Sequence, residues 1–558
     1  MKRVIRFLLV GLLTIIMNNA YSAWLYACED HGATIEMPST VVTRPDGTRM
    51  RIGIAAKPPR DCMQRRVNVS AELVEALHAI PSTDATQAAP QLTVTGGTDA
   101  GRFRIESVEL PAPPFSAALA ALPLNANLLP TMRVRTYGVE ERVDAHIDDG
   151  KLVLQCRAGN KPAGVLLAQD GQLNTARLDL VLSGSGSGRF ALQVADATHA
   201  ARESAVQLGE LVATPQAQTW RHELPLSRFD ADSWQFFSIV CSAENASLQL
   251  EAMSLSARSA AVPPRASWVW NPSTWMQEPD TVFAYADRYQ LKVLFVSVPI
   301  ANAVVAEPEA LAAFISAAAA RGIKVWAVAG DPHMVLPEER AASLTRMRAY
   351  VAYNAGPVEQ RLAGVQFDVE PYLLPGYALA EPQWQARYVE LVAALHEASE
   401  GLPLEMVVPF WWANRTALLE GIAPHVSGLT VMDYRTHKDE IVRFAAPFLD
   451  WGTRRGKAIR IALEAGPVGE ETVRQYVRAE RGELWQSEIG GTTILLLLKS
   501  PQVNPDGPAY RIAGSRVQDG SDTSFHRNPA ALVEMAPDLE KDFSAWSSFN
   551  GLALHELK

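Results

Sequence analysis

Residues 364–372 read GVQFDVEPY, an apolar run that ends in two carboxylates and a proline. Period-two alternation places Gln366, Asp368 and Glu370 on one face of an extended strand. In a barrel, that face can point into the lumen. The stretch therefore predicts a barrel strand whose end carries two acidic side chains.

Similar apolar runs recur on both sides of this stretch, most of them followed by a segment with helical periodicity. Eight strands alternating with helices over about 290 residues predict a (β/α)8 TIM barrel for residues 266–558. Residues 492–499 are also apolar, so they form either an insertion or a barrel strand that shifts the assignment. The predicted strands are 267–271, 292–298, 324–329, 364–369, 404–410, 427–432, 457–463 and 552–555.

The N-terminal half predicts a different architecture, which makes the chain multidomain. Residues 23–80 contain β-hairpin signals and form a small β-rich segment, and residues 81–101 have the small, polar composition of a linker. Residues 102–258 show short β-rich runs without long helices, which is typical of a β-sandwich. This pattern is similar to the jelly-roll sugar-binding domains that precede many polysaccharide-active catalytic domains, so the sandwich is a candidate carbohydrate-binding module.

All four cysteines, Cys28, Cys62, Cys156 and Cys241, lie in this half. Proximity within the predicted modules favours disulfides Cys28–Cys62 and Cys156–Cys241, although three pairings and unpaired thiols all remain open on sequence grounds. The cysteine and histidine spacing matches no zinc site, and we expect no metal and no cofactor.

The N-terminus indicates export. Residues 1–22 combine three early cations, a short apolar run and a polar break, which is typical of a signal peptide. We therefore expect a periplasmic or secreted protein without stable membrane insertion after cleavage. Removing that segment, which carries no anion, makes the net charge of −10 more negative by three. An acidic chain without basic tracts is a poor nucleic-acid ligand, so we expect no nucleic-acid partner.

Two motifs connect the barrel to glycoside hydrolysis. Residues 363–370 read AGVQFDVE, and residues 432–435 read MDYR. They resemble the chitinase-like glycoside hydrolase superfamily, whose fourth strand carries Asp-Gly-x-Asp-x-Asp-x-Glu and whose sixth strand carries Met-x-Tyr-Asp. The resemblance implies Glu370 as general acid/base, Asp368 as its partner and Tyr434 as a hydrogen-bond donor to substrate. The chain has Ala363, Gln366 and Arg435 where the superfamily has aspartates.

The chain also resembles exported bacterial proteins with a glycosidase-like barrel, in which the fourth strand ends Asp-x-Glu-Pro and the last strand ends in histidine.

Two adjacent carboxylates raise each other's pKa, which is how a protein keeps an acid protonated at neutral pH. Glycoside hydrolysis needs such an acid and a second group that attacks or stabilises the sugar cation.

The attacking group remains open between two candidates. Glu464 ends the seventh strand, and retaining glycosidases of the large barrel clan place glutamates on strands four and seven. Glu464 is therefore either the nucleophile or a structural carboxylate. The other candidate is the substrate itself.

Aromatic and polar residues at the strand ends are candidates for substrate binding, because sugars stack their C–H faces on aromatic rings. On a regular strand the adjacent Trp411 and Trp412 cannot both face inward. His555, on the last strand, either assists at the rim or is structural. The full set of candidate binding residues is Tyr434, Asp433, Trp411, Trp412, Trp270 and His555.

These observations predict a glycoside hydrolase that acts on a polysaccharide or oligosaccharide by carboxylate acid/base catalysis. Two alternatives stay open: a non-catalytic sugar-binding barrel that handles exopolysaccharide at the envelope, and a periplasmic scaffold. The sequence leaves the sugar, its linkage and the oligomeric state undetermined.

Overall fold

The computed structural model describes residues 23–30, 39–44, 46–81, 90–99, 101–109, 123–168, 177–196, 205–224, 235–258, 261–374, 377 and 381–557. The predicted signal peptide, residues 1–22, lies outside these ranges. Among the helices of the described residues, none has the length and apolar character needed to cross a membrane.

Seven strands precede the sandwich among the described residues. The first four form an antiparallel sheet in the order β2-β3-β1-β4, and the disulfide Cys28–Cys62 joins β1 to the residue before β4. The next three belong to a second sheet, described below. The bounds are β1 Ala23–Glu29, β2 Ser39–Thr43, β3 Arg49–Ala55, β4 Met63–Val67, β5 Val74–Pro81, β6 Gln91–Asp99 and β7 Arg102–Glu109.

Nine antiparallel strands then form the sandwich region around a leucine-rich core. The strands are β8 Arg133–Gly138, β9 Val143–Asp148, β10 Lys151–Cys156, β11 Ala163–Ala168, β12 Leu178–Asp196, β13 Val206–Ala213, β14 Gln218–Glu223, β15 Gln235–Cys241 and β16 Ala246–Ala257. The disulfide Cys156–Cys241 links β10 to β15, so both favoured pairings are confirmed. Two disulfides are consistent with an oxidising, extracellular environment.

Eight parallel strands close into a barrel in the order β17-β18-β21-β22-β23-β24-β25-β30. Their buried, near-continuous apolar character is typical of parallel strands covered on both faces. The elements up to the fourth barrel strand are β17 Arg265–Val269, α1 Pro272–Gln277, α2 Pro279–Tyr289, β18 Leu291–Ser297, β19 Ile300–Ala301, β20 Val304–Val305, α3 Pro308–Ala319, β21 Lys324–Ala329, α4 Pro337–Tyr353 and β22 Val365–Phe367.

The remaining elements complete the barrel and add an insertion of four strands. They are α5 Glu381–Ala398, β23 Leu404–Pro409, α6 Thr416–Ile422, β24 Gly428–Met432, α7 Lys438–Arg455, β25 Ala458–Glu464, β26 Glu471–Ala479, β27 Gly482–Ile489, β28 Thr492–Gln502, β29 Ala509–Gln518, α8 Pro529–Phe543 and β30 Phe549–His555. Helix α7 illustrates the local signals: Asp439 and Glu440 lie in its first turn, Arg454 and Arg455 in its last, and Gly456 ends it with a left-handed backbone.

The structure corrects the predicted fold class. The described residues are mainly β-structure, and they do not show the regular strand–helix alternation of a (β/α)8 barrel. Two helices follow β17, a β-hairpin follows β18, and four antiparallel strands follow β25. The apolar residues 492–499 fall in β28 of this insertion and are not a barrel strand.

The insertion joins the N-terminal strands in a seven-stranded sheet, β5-β28-β27-β29-β26-β6-β7. The prediction that residues 81–101 form a linker is therefore wrong for the part of this range that the structure describes. Residues 91–99 form β6, and β6 pairs with β26. Likewise β7, predicted as the start of the sandwich, pairs with β6. The β6–β26 pairing joins residues about 380 positions apart, and no local sequence pattern reports it.

Candidate functional site

A cavity of about 340 Å³ opens at the carboxyl ends of the barrel strands. Parallel strands bring their ends together at one rim, which is where barrel proteins build their sites. Six of the predicted site residues line this cavity: Asp368, Glu370, Tyr434, Glu464, Trp270 and His555.

The Asp368–Glu370 pair follows β22 directly. The Asp368 backbone N–H donates to Ala329 O at 2.9 Å, and Gly330 allows this approach, because a Cβ there would lie 2.5 Å from Asp368 O. Asp368 Oδ1 is buried and has no hydrogen-bond partner within the described residues. The pair is thus held rigidly by its backbone, while part of Asp368 remains unsatisfied.

Both carboxyl groups bind protons more tightly than usual. Burial, and then the charge of Glu370, raise the pKa of Asp368 to about 8, against a smaller lowering by His555. Burial also raises the pKa of Glu370, although a hydrogen bond from the Tyr372 hydroxyl to Oε2 and the charge of His555 oppose it. The pair can therefore hold a proton at neutral pH.

On the opposite side of the rim, Glu464 and His555 lie directly across from each other on β25 and β30. His555 Nδ1 lies 2.6 Å from Glu464 Oε2, and Trp270 Nε1 donates to His555 Nε2 at 2.9 Å. Glu464 Oε1 accepts from the Gly466 backbone N–H at 2.5 Å. The Tyr434 ring is stacked on His555, with ring centroids 6.4 Å apart.

Tyr434 is a protonated phenol in this setting. Burial raises its pKa well above the ordinary value, and the nearby charges of Glu464 and Asp368 raise it further. A neutral hydroxyl can donate a hydrogen bond to a ligand in the cavity.

A polar network lies on the inward faces of the strands beneath the cavity. Trp268 Nε1 donates to Gln366 Oε1 at 2.6 Å, and Gln366 Nε2 donates to Glu405 Oε1 at 2.8 Å. Glu405 also accepts from the Thr430 hydroxyl and lies 3.9 Å from Arg460 Nε. Gln366 therefore does what an ionised aspartate cannot: it accepts from an indole while donating to a carboxylate.

The structure places three predicted binding residues away from the cavity lining. Asp433 is fully buried, and neither of its oxygens has a hydrogen-bond partner among the described residues. Trp411 and Trp412 lie in a short 3₁₀ helix after β23 and not on the strand itself. Trp412 is buried against Tyr388, whereas Trp411 is 41% exposed beside Tyr372.

Sequence reasoning missed three contributors to this site. Tyr372 was visible two residues after Glu370 but carried no assigned role. Gly330 and the Gln366 network depend on contacts between strands, which a single strand does not report. Among the described residues, no cluster of three or more histidine, cysteine or acidic side chains could hold a metal.

Comparisons with known proteins give weak similarities. No protein-family model matches the chain, and no curated protein matches it. A mutant of a family 29 carbohydrate-binding module is similar with a TM-score of 0.18 and 9% identity, over 22% of this chain and 82% of that chain. The CBM22-1-GH10 modules of Clostridium thermocellum endo-1,4-beta-D-xylanase 10B, complexed with xylohexaose, are similar with a TM-score of 0.25 and 8% identity, over 61% of this chain and 81% of that chain. These similar structures are sugar-related, and TM-scores this low assign neither fold nor function to the chain.

Proposed function

We propose that the barrel cavity binds a polysaccharide or oligosaccharide and hydrolyses a glycosidic bond, with Glu370 as the proton donor. The observation that carries the proposal is the Asp368–Glu370 pair, which keeps a proton at neutral pH inside an open cavity. Glycosidic oxygens are poor leaving groups unless they are protonated, so an acid of this kind is the first requirement of the reaction.

The other cavity groups support the same chemistry. Tyr372 holds one oxygen of Glu370, which leaves Oε1 as the atom that can give its proton to the leaving oxygen. The Tyr434 hydroxyl can donate a hydrogen bond to a sugar hydroxyl. The Trp268 and Trp270 rings offer apolar surfaces on which the C–H faces of the sugar can stack. The attacking group is either Glu464 or the substrate itself.

A second function, sugar binding without cleavage, is favoured by one observation. Both oxygens of Glu464 accept hydrogen bonds from the protein, Oε1 from Gly466 and Oε2 from His555. A carboxylate held in this way is a weaker nucleophile than a free one, and a barrel without an attacking group would bind sugar only.

The test is a reducing-sugar screen of the purified protein and its Glu370→Gln variant on a broad polysaccharide panel, with calorimetric binding in parallel. We expect the parent to cleave at least one glycan, and the variant to lose cleavage by about 10²–10⁴-fold while it still binds. Binding by the parent without cleavage across the panel would favour the second function. Equal cleavage by the parent and the variant would show that Glu370 is not the proton donor.

A further inference from the structure

Glu464 is committed to its own neighbours. Gly466 N–H donates to Oε1 at 2.5 Å and His555 Nδ1 lies 2.6 Å from Oε2. Each Glu464 oxygen keeps a second lone pair, but the two hydrogen bonds fix the orientation of the carboxylate and reduce its nucleophilicity. Its geometry is that of a group that orients a histidine.

The direction of this hydrogen-bond chain is fixed by its far end. The indole N–H of Trp270 can only donate, so His555 Nε2, 2.9 Å away, must accept. The ring proton of neutral His555 must then lie on Nδ1 and point at Glu464. The chain therefore runs from Trp270 to His555 to Glu464.

Trp270 is the member of this chain at the cavity mouth. It follows the last residue of β17, and 36% of its surface is exposed. Its ring meets His555 edge-on at 6.5 Å between centroids, and Trp268 also meets His555 edge-on at 5.4 Å. The hydrogen bond to His555 is thus the polar contact that orients an otherwise exposed indole.

We propose that Glu464 and His555 are positioning residues that hold Trp270 as a sugar-stacking wall of the cavity, and that a proton added to His555 Nε2 releases it. The sugar as ligand rests on the proposed function, whereas the hydrogen-bond switch does not. Protonation turns Nε2 from an acceptor into a donor, so two N–H groups then face each other and the hydrogen bond to Trp270 is lost.

The surroundings of His555 raise the pH at which this switch operates. Burial lowers the pKa of His555, but the hydrogen bond to Glu464 and the charges of Glu464, Glu556 and Asp368 outweigh it and raise the pKa above its ordinary value. Trp270 is therefore held above that pKa and released below it. The titratable groups that face His555 from the packed elements are Glu464, Glu556, Asp368, Glu370 and Tyr434.

The experiment is a pH titration of tryptophan fluorescence and acrylamide quenching on the full chain, from about pH 4 to about pH 9. Because the chain has 13 tryptophans, Trp270→Phe identifies the relevant signal and Trp411→Phe, which removes the other exposed tryptophan at the rim, is the matched control. Because Trp268 also contacts His555 and its emission can respond to the imidazolium charge, acrylamide quenching is the deciding signal. We expect a quenching transition in the parent and in Trp411→Phe that is missing from Trp270→Phe. Glu464→Gln should move the midpoint to lower pH by about one unit or more, because the charge that favours the imidazolium is gone. A quenching transition of the same size in Trp270→Phe, or a midpoint that Glu464→Gln leaves unchanged, would overturn the proposal.

Kinetic measurements distinguish a positioning role of Glu464 from a role as the attacking nucleophile. On a substrate that the parent cleaves, Trp270→Phe and Glu464→Ala should mainly raise KM, by about tenfold, with a smaller change in kcat, and added azide should not restore turnover. A collapse of kcat in Glu464→Ala that azide rescues by forming a glycosyl azide would show that Glu464 attacks carbon. If the parent cleaves nothing, the fluorescence transition still decides the switch, so the two failures are distinguishable.

Discussion

Asp368 and Glu370 are separated by one residue and hold a proton at a pH at which isolated carboxyl groups have lost theirs. The pKa of Asp368 is raised to about 8, first by burial and then by the charge of Glu370. A proton donor must be protonated to act, and burial raises the pKa of Glu370, so cleavage should fall as pH rises through that raised pKa. Asp368→Asn removes the partner carboxyl, and we expect the basic limb of the pH–rate profile to move to lower pH.

The matched control for this profile is Asp331→Asn. Asp331 also lines the cavity, but it is exposed and caps a short 3₁₀ helix through its bond to the His333 N–H. Its substitution should leave the basic limb in place. An unmoved limb in Asp368→Asn would contradict the shared-proton interpretation.

Asp433 stands at the variable position of the Met-x-Tyr segment and lies outside the cavity lining. Its side chain is fully buried with both oxygens unpaired among the described residues, and burial raises its pKa well above the ordinary value, against a lowering by Arg435. A carboxyl whose folded pKa is raised contributes stability at low pH and loses it as pH rises through the folded value. Asp433→Asn removes that titration, so the variant should exceed the parent in stability at alkaline pH by about 1–3 kcal/mol and lose the advantage in acid.

Thermal unfolding of the parent and Asp433→Asn across pH measures this difference. Asp331→Asn again serves as an exposed control that should follow the parent at each pH. Parallel stability curves for the parent and Asp433→Asn would contradict the prediction.

At the scale of elements, buried parallel strands were predictable and long-range pairings were not. Residues 324–329 were predicted as a strand and form β21 with the same bounds, because a short apolar run between charged or glycine-rich ends has few alternatives. Residues 184–188, which alternate glycine and serine, lie inside the long strand β12. A Cβ at Gly184 or Gly186 would lie about 2 Å from a β16 carbonyl oxygen, so these glycines permit close strand contact there.

The seven-stranded sheet yields a prediction about folding units. Strand β28 is buried between β27 and β5, and Ile494, Leu496 and Leu498 belong to a core shared with the N-terminal sheet. A chain that begins at residue 123 lacks β5 and exposes these side chains at about 1.5–3 kcal/mol each. We expect limited proteolysis to cleave residues 471–518 in that chain but not in the full protein.

The control is the Cys28→Ser/Cys62→Ser double variant, which keeps β5–β7 and removes a crosslink between residues 34 positions apart. It should lose about 2–4 kcal/mol of stability and keep the insertion protected. An insertion that resists proteolysis without the N-terminal strands would mean that the barrel half folds by itself.

At the scale of the whole molecule, the sandwich and the cavity lie at opposite ends of the barrel. The sandwich region contacts the end of α8, where Arg177 N–H donates to Ala545 O at 2.6 Å. That end lies beside the start of β17, because Arg265 forms a two-point ion pair with Glu540. The cavity is at the other end, where the strands finish, so the sandwich does not contribute to its lining.

This arrangement predicts that the barrel rim, and not the sandwich, supplies the main affinity for sugar. Trp270 and Trp411 are the exposed large aromatic side chains among the described residues, and they follow the first and fifth of eight barrel strands. Replacing both with alanine should weaken oligosaccharide binding by about tenfold or more in calorimetry, with the sandwich intact. Val212→Ala, at an exposed position on the sandwich, is the control. Unchanged affinity in the double variant would contradict this prediction and indicate that the sandwich supplies the main affinity for sugar.

The proton-donor role of Glu370 is tested most directly by leaving-group dependence. The measurement is kcat for Glu370→Gln and for the parent on two glycosides of the same sugar, one with an alkyl leaving group and one with a dinitrophenyl leaving group that departs without protonation. Loss of an acid should reduce turnover of the alkyl glycoside by about 10²–10⁴-fold and leave that of the dinitrophenyl glycoside much less affected. Equal losses on both substrates would contradict the assignment of Glu370 as the proton donor.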